Sequence, residues 1–244
     1  MSRPVPRRMR LRANVPAPRS LSRAAIVDAA LKVLDREGLD ALTMRRVAEE
    51  LGTGPASLYA HVDHKDDLVA AVFDRVSGDI ELPGTPDPAR WQEQITELAL
   101  GAIATFRQHR DLARAALGTI PTGDGSLSLM EAMVSILLAG GVDEQVTAWS
   151  LDLLALYITA TAYEYSVETD AADTPHGAEL VSQTTPDTEL RAWFSSLPDD
   201  RYPHLVAMAG ALTSGDGEQR TRFHLDVLVR GIASTVPARR RRRR

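Results

Sequence analysis

Met44, Ala48, Gly52 and Leu58 take the first, fifth, ninth and fifteenth places of a stretch that runs to Asp63. That order of residue types suits two helices joined by a tight turn. Helices that cross steeply nearly touch at the fifth place, so only a small side chain fits there. The ninth opens the turn, where a left-handed backbone favours glycine. The fifteenth turns inward from the second helix and must be apolar. A unit built this way lays its second helix in the major groove of DNA, so its chemistry is recognition rather than bond-making. The same spacing also describes an ordinary helical hairpin with glycine at its turn.

Other chemistry finds little support. The 244 residues contain no cysteine, which excludes disulfides and thiolate reactions and fits a cytoplasmic protein. No phosphate-binding loop, dinucleotide fingerprint, zinc motif or nucleophile elbow occurs, so neither an enzyme nor a cofactor is expected. His61 and His64 have the spacing of a metal pair, but no third ligand of suitable spacing is near, and no metal is expected. The acidic pair Asp199-Asp200 falls in a polar, proline-flanked turn and reads as solvated.

The elements that would position the turn are helical. Ile26, Ala29, Ala30, Val33 and Leu34 mark one buried face, with Ser22 as its N-cap and Gly38 as its stop. Met44, Val47, Ala48 and Leu51 repeat the pattern between Thr43 and Gly52. A third helix begins at Pro55, a residue suited to a first turn, and a fourth runs over about 65–80. The breaker-rich segment Leu82-Pro83-Gly84-Thr85-Pro86-Asp87-Pro88 reads as a domain boundary. Beyond it, helices are expected over about 88–108, 110–118, 126–140, 143–168, 187–196, 201–213 and 217–235. The polar stretch 168–188 is expected to be mobile. No strand pattern appears, so the expected class is all-α.

Composition is that of an ordinary globular protein, with 44% hydrophobic and 25% charged residues. Residues 1–20 hold six arginines but no apolar run, so they are not a signal peptide. The longest nearly apolar stretch, Ala148 to Tyr163, is short for a bilayer span and contains Asp152, so no membrane partner is expected. The net charge of -5 hides an asymmetry. Six arginines stand in 1–20 and six more in 239–244, leaving 16 basic against 33 acidic side chains between them. An acidic body with two cationic ends makes the overall charge a poor guide to nucleic-acid affinity.

The run Gly38-Leu39-Asp40-Ala41-Leu42-Thr43-Met44-Arg45-Arg46-Val47-Ala48-Glu49-Glu50-Leu51-Gly52, with Ser57-Leu58-Tyr59-Ala60-His61-Val62 and Lys65-Asp66-Asp67-Leu68 after it, resembles the DNA-binding domain of the tetracycline-repressor-like (TetR) family. The likeness covers about residues 22–80. It implies an N-terminal three-helix helix-turn-helix DNA-binding domain (21–82) and a helical effector-binding and dimerisation domain (83–238). A flexible basic arm (1–20) and a basic tail (239–244) flank them. The implied function is a ligand-responsive repressor, a homodimer on a palindromic double-stranded DNA operator, controlled by a small-molecule effector. An activator of the same fold and a nonspecific DNA-coating protein are the alternatives.

By the same resemblance the recognition helix is about 55–61. Arg45 and Arg46 lie early in the supporting helix, where arginine reaches a phosphate or a guanine edge. Pro55 and Ala56 suit a thymine methyl group, and Ser57 donates or accepts. Tyr59 and His61 match backbone-contacting positions, and Lys65 a phosphate-binding lysine at a helix start. Arg46 could equally be a solvated charge and Tyr59 part of the core. The chain departs from the family pattern at Gly54-Pro55, since the usual proline falls one residue later; base preference therefore does not transfer. The arm, with Arg7, Arg8, Arg10 and Arg12, is expected to lie along DNA.

In the second domain the resemblance pairs the helices over about 143–168 and 217–235 with their symmetry mates, Gly231 permitting close approach. Effector-binding candidates are polar or aromatic groups on otherwise apolar helices: Phe106, His109, Trp149, Tyr157, Thr161 and Tyr163. Each is also a candidate core residue.

Overall fold

A computed structural model describes residues 21–109, 111–116, 122–171 and 187–237. The arm with Arg7, Arg8, Arg10 and Arg12, the 172–186 part of the polar stretch and the terminal arginine run lie outside the described residues.

Helix α1 (Arg23–Glu37) opens where Ser22 Oγ accepts from the Ala25 amide at 3.2 Å. It buries Ile26, Ala29, Ala30, Val33 and Leu34 and ends at Gly38, whose amide donates to the Leu34 carbonyl. Helix α2 (Met44–Glu50) is capped the same way, Thr43 Oγ1 accepting from the Arg46 amide at 3.1 Å. Gly52 then has φ +66°, and a Cβ built on it would meet nothing within 4 Å. Glycine is needed there for backbone conformation, not for space. The recognition segment is a short 3₁₀ helix, Pro55–Ala60, rather than a full α-helix. Leu58 anchors it, fully buried like Val47 and Ala48. Helix α3 (Lys65–Ser77) starts at His64, whose Nδ1 accepts from the Asp67 amide at 3.1 Å, and buries Leu68, Val72 and Val76.

The second part is built around α4 (Trp91–Phe106), which buries Trp91, Ile95, Leu98, Ala99, Ala102, Ile103 and Phe106. Each large side chain among them contributes about 1.5–3 kcal/mol of burial. It packs against α3, α6 (Asp124–Ala139), α7 (Glu144–Ala171) and α11 (Gly217–Ala233). The short α5 (Leu112–Ala116) lies against α3 and α7. A single hydrophobic cluster runs from Ile26 to Ile232, so the helix-turn-helix and the helices behind it share one core through α3.

Two expectations shift in detail. The helix expected over 201–213 breaks at Met208 into α9 (Pro203–Ala207) and α10 (Ala209–Leu212). With α8 (Asp187–Ser195) these pack chiefly against one another and bury Ala209 alone, too little to hold one long helix. Helix α7 is apolar around most of its circumference, as its composition predicts, yet only part of it is covered. Leu154 and Ile158 are buried, whereas Trp149, Leu153 and Leu156 are exposed at i, i+4, i+7 spacing. Phe223 and Val227 form a matching exposed stripe on α11. No strand occurs among the described residues, and no helix there is long and apolar enough to cross a membrane.

Candidate nucleic-acid interface and ligand cavity

The outer edge of the helix-turn-helix presents Arg45, Pro55, Ala56 and Tyr59 to solvent. The Arg45 side chain is 82% exposed, its nearest charged partner being Glu49 at 3.8 Å. Tyr59 is 52% exposed, which settles the alternative that it belongs to the core. His61 is half-buried, and its carbonyl accepts from Arg23 Nη1 at 3.4 Å. Arg23 also pairs with Asp67 at 3.1 Å. It thereby fastens the end of the recognition segment to α1 and α3, a role carried by no local sequence signal.

Three other candidates are already engaged within the protein. Arg46 forks onto Glu37, with Nε and Nη2 at 3.0 and 2.6 Å, and reaches Glu50 at 3.4 Å. Arg36 pairs with Glu50 as well. The hydrogen bond from Arg46 holds the Glu37 carboxyl below the usual glutamate range. The bond from Arg36, with Arg46 adding to it, does the same for Glu50. Two carboxylates stand within reach of the planar Arg46 fork, so this side chain is held by the network rather than left as a free surface charge. Ser57 Oγ donates to the Gly54 carbonyl at 2.6 Å and lies 2.8 Å from Thr53 Oγ1, so the threonine donates to it. That hydroxyl shapes the turn. Lys65 Nζ donates to the Leu39 carbonyl at 3.2 Å, tying α3 to the loop before α2.

Behind this unit a cavity of about 340 Å³ opens among α3, α4, α6 and α7. Its walls include Phe73, Phe106, Leu129, Met130, Met133, Leu151 and Ile158, with Ser77, Ser126, Asp152 and Thr159 as polar members. Ala148, Asp152, Ala155 and Thr159 line it from one face of α7, at i, i+4, i+7, i+11 spacing. Of the six effector-binding candidates, Phe106 lines this cavity and the others do not. His109 turns to α1, its Nδ1 3.1 Å from Asp35. Trp149 points outward at 68% exposure. Tyr157 Oη reaches α11, donating to the Thr221 carbonyl at 3.3 Å. Thr161 follows Leu154 and Ile158 on the core-facing side, and Tyr163 packs half-buried against that core. Asp152, a lone carboxylate in an apolar run, is the signal in the sequence that marks the cavity-facing side of α7.

Two polar joints tie the helix-turn-helix unit and α3 to the helices behind them. Asp111, at φ +56°, accepts from the Leu39 amide at 2.9 Å, while Arg114 pairs with Asp40 at 2.8 Å. The Asp40 hydrogen bond raises the Arg114 pKa. Asp74 on α3 accepts from the Ser126 amide in the first turn of α6. No group of three or more His, Asp or Glu side chains suited to a metal ion occurs among the described residues. His64 serves as the α3 cap.

Comparison with known proteins agrees with this arrangement along the chain. The family model for bacterial regulatory proteins of the tetR family matches residues 26–72, and that for the tetracyclin repressor-like C-terminal domain matches residues 84–236. The HTH-type transcriptional repressor DrrR1 of Streptomyces coeruleorubidus is 26% identical over 222 residues, 88% of this chain and 78% of that protein. The class D tetracycline repressor protein of Escherichia coli is 26% identical, covering 89% of this chain and 92% of its own length. Among solved structures, apo ActR from Streptomyces coelicolor superposes with a TM-score of 0.78 at 38% identity, covering 91% of this chain and 98% of its own. ActR in complex with actinorhodin gives 0.77 at 37% identity, covering 89% and 98%. The chain belongs to the tetR family of bacterial regulatory proteins, which are DNA-binding transcription regulators and not enzymes.

Proposed function

We propose that this protein is a cytoplasmic, ligand-responsive repressor that binds a palindromic operator as a homodimer. The observation that carries the reading is the physical link from cavity to DNA-facing edge. Ser126 lines the cavity, its amide is held by Asp74 of α3, and α3 packs on α1 beside the recognition segment. A molecule seated in the cavity biases the position of α6, and with it α3 and the spacing of two recognition segments in a dimer. DrrR1 and the class D protein are named repressors, and ActR is solved with a small molecule bound.

In this reading Arg45, Pro55, Ala56, Tyr59 and His61 meet the operator directly. Ser57, Arg46 and Lys65 hold the surface in shape. The helix-turn-helix part, 21–82, has seven basic and twelve acidic side chains, so the arm's six arginines supply the positive balance that a polyanion needs. The exposed stripes Trp149, Leu153, Leu156 and Phe223, Val227 are the faces that a second copy covers.

Selection of random duplex DNA by the full chain at near-physiological salt, read by sequencing, tests the reading. The expected result is an enriched inverted repeat. Flat selection with binding that vanishes as salt rises would support a nonspecific DNA-coating protein instead.

A further inference from the structure

The cavity carries more chemistry than a greasy pocket. Phe73 and Phe106 form an aromatic wall, their ring centroids 5.0 Å apart and their planes tilted by 34°. Met130 and Met133 add adaptable thioethers that pack well on rings. At about 340 Å³ the volume falls near the low end for drug-sized ligands, roughly 300–1,000 Å³.

Two polar groups in this wall are unmatched. Ser126 is 3% exposed and its Oγ has no hydrogen-bond partner, whereas the neighbouring Ser77 hydroxyl is spent on the Phe73 carbonyl at 2.8 Å. Leaving a buried hydroxyl unmade is costly, so a ligand carbonyl or hydroxyl placed there regains what folding forfeits. Asp152 is the second. It makes no ion pair or hydrogen bond among the described residues, and no lysine, arginine or histidine stands in the described lining. A lone carboxylate beside an apolar wall attracts a cation and repels an anion more strongly than it would in open water.

We propose that this cavity selects an amine-bearing aromatic compound that also carries a carbonyl or hydroxyl, and that it rejects carboxylates. The rings lie against Phe73 and Phe106, the oxygen group meets Ser126 Oγ, and the ammonium pairs with Asp152. The proposal rests on the effector reading above and names the chemical class of the molecule that it requires.

The test uses the purified full chain and three fluorescent probes on one ring system: 9-(aminomethyl)anthracene, anthracene-9-carboxylate and 9-anthracenemethanol. The amine is expected to bind at least about tenfold tighter than the carboxylate. Asp152→Asn should bring the two within about threefold, and Asp152→Lys should invert the order. Ser126→Ala should weaken the alcohol by about five- to tenfold. The Asp152 side chain reaches solvent and the buried Ser126 hydroxyl has no hydrogen bond to lose, so these substitutions leave the fold intact. Equal or tighter binding of the carboxylate overturns the proposal, as does a preference that survives in Asp152→Asn, or no binding of amine and alcohol. The repressor reading fails separately. If the amine binds with the expected charge dependence but leaves affinity for the selected operator unchanged, the effector role is lost while the selectivity stands.

Discussion

The carboxylate of Asp74, on α3, accepts a hydrogen bond from the backbone amide of Ser126 at 2.9 Å, capping the first turn of α6 from another helix. Gly123 and Gly125 make the approach possible. A Cβ on Gly123 would run into the Asp74 carboxyl group, and one on Gly125 into the Asp74 backbone oxygen. Helix α6 thus begins on α3 and runs on along the cavity wall through Leu129, Met130 and Met133. In the proposed response, a shift at the start of α6 is carried to α3 through this bond.

Removing that carboxylate should loosen the joint without unfolding either side. Asp74→Ala is expected to cost about 0.5–2 kcal/mol, as loss of an N-cap does, while Asp74→Asn keeps an acceptor and most of the stability. Asp74→Ala also vacates the space that a Gly123 methyl group would enter, so Gly123→Ala should cost less in the Asp74→Ala background than alone. Denaturant unfolding of the four proteins measures the coupling. Strict additivity would show that the two residues do not meet.

The same substitution should have opposite signs at two other glycines. A Cβ on Gly125 meets backbone, including the Gly78 nitrogen at 2.7 Å, which no side-chain rotation relieves. Gly125→Ala is expected to destabilise by about 1–3 kcal/mol. Gly101 lies inside α4 with nothing within 4 Å of a built Cβ. Gly101→Ala should stabilise by about 0.5–1 kcal/mol through helix propensity. Thermal melting decides both, and a gain at Gly125 would contradict the close approach.

The contrast between the two halves of the molecule explains what is legible in the sequence. Caps and turns are local. Ser22, Thr43 and Gly52 announce their roles within four residues of the groups they bond, and the structure has each bonded or turned as expected. The cavity depends on helical phase. Helix α7 is apolar nearly all round apart from Asp152, so its hydrophobic periodicity does not choose an inward face, and Trp149 stands outside while Asp152 lines the cavity. His109 meets Asp35, 74 residues upstream, a pairing that no spacing predicts. Arg46 is ambiguous in sequence for a related reason, since Glu37, its main partner, lies on another helix.

Acid should loosen the helix-turn-helix unit at this network. Arg46 and Arg36 lower the Glu37 and Glu50 pKa values in the fold, so these carboxylates stabilise it fully above the ordinary glutamate value of about 4.3. That contribution is lost as pH falls through their lowered values. The melting temperature of the full chain should therefore decline below about pH 4.3, and the Glu37→Gln, Glu50→Gln double variant should show a shallower decline. Equal slopes for the two proteins would remove the network from the acid response.

The exposed stripes on α7 and α11 predict an assembly phenotype. Leu153→Glu or Phe223→Glu places a charge on a face now apolar and exposed, so the folded subunit should tolerate either substitution. If a second copy covers that face, each should weaken self-association by about 2 kcal/mol or more, roughly thirtyfold. Sedimentation of the variants at several concentrations reads this directly. Unchanged association would place the contact between copies elsewhere on the surface.

The arginine arm gives the last prediction, because charge makes a quantitative demand. With seven basic and twelve acidic side chains in 21–82, the helix-turn-helix part is itself repelled by a polyanion. Arg45 is the exposed cation on its recognition edge, Arg46 being held by Glu37 and Glu50. In the proposed reading Arg3, Arg7, Arg8, Arg10, Arg12 and Arg19 supply the positive charge that DNA binding draws on. Each phosphate that a side chain neutralises contributes about 0.9 to the slope of log affinity against log salt. Deleting residues 2–19 should reduce that slope by about 0.9 for every phosphate left without its arginine. The sequence of the selected operator should stay the same, because Pro55, Ala56 and Tyr59 remain. An unchanged slope would mean that the arm touches no phosphate and that the acidic domain binds DNA by its recognition edge alone. A changed operator preference would instead show the arm reading a groove, as a flexible arm does when it enters the minor groove beside its recognition helix.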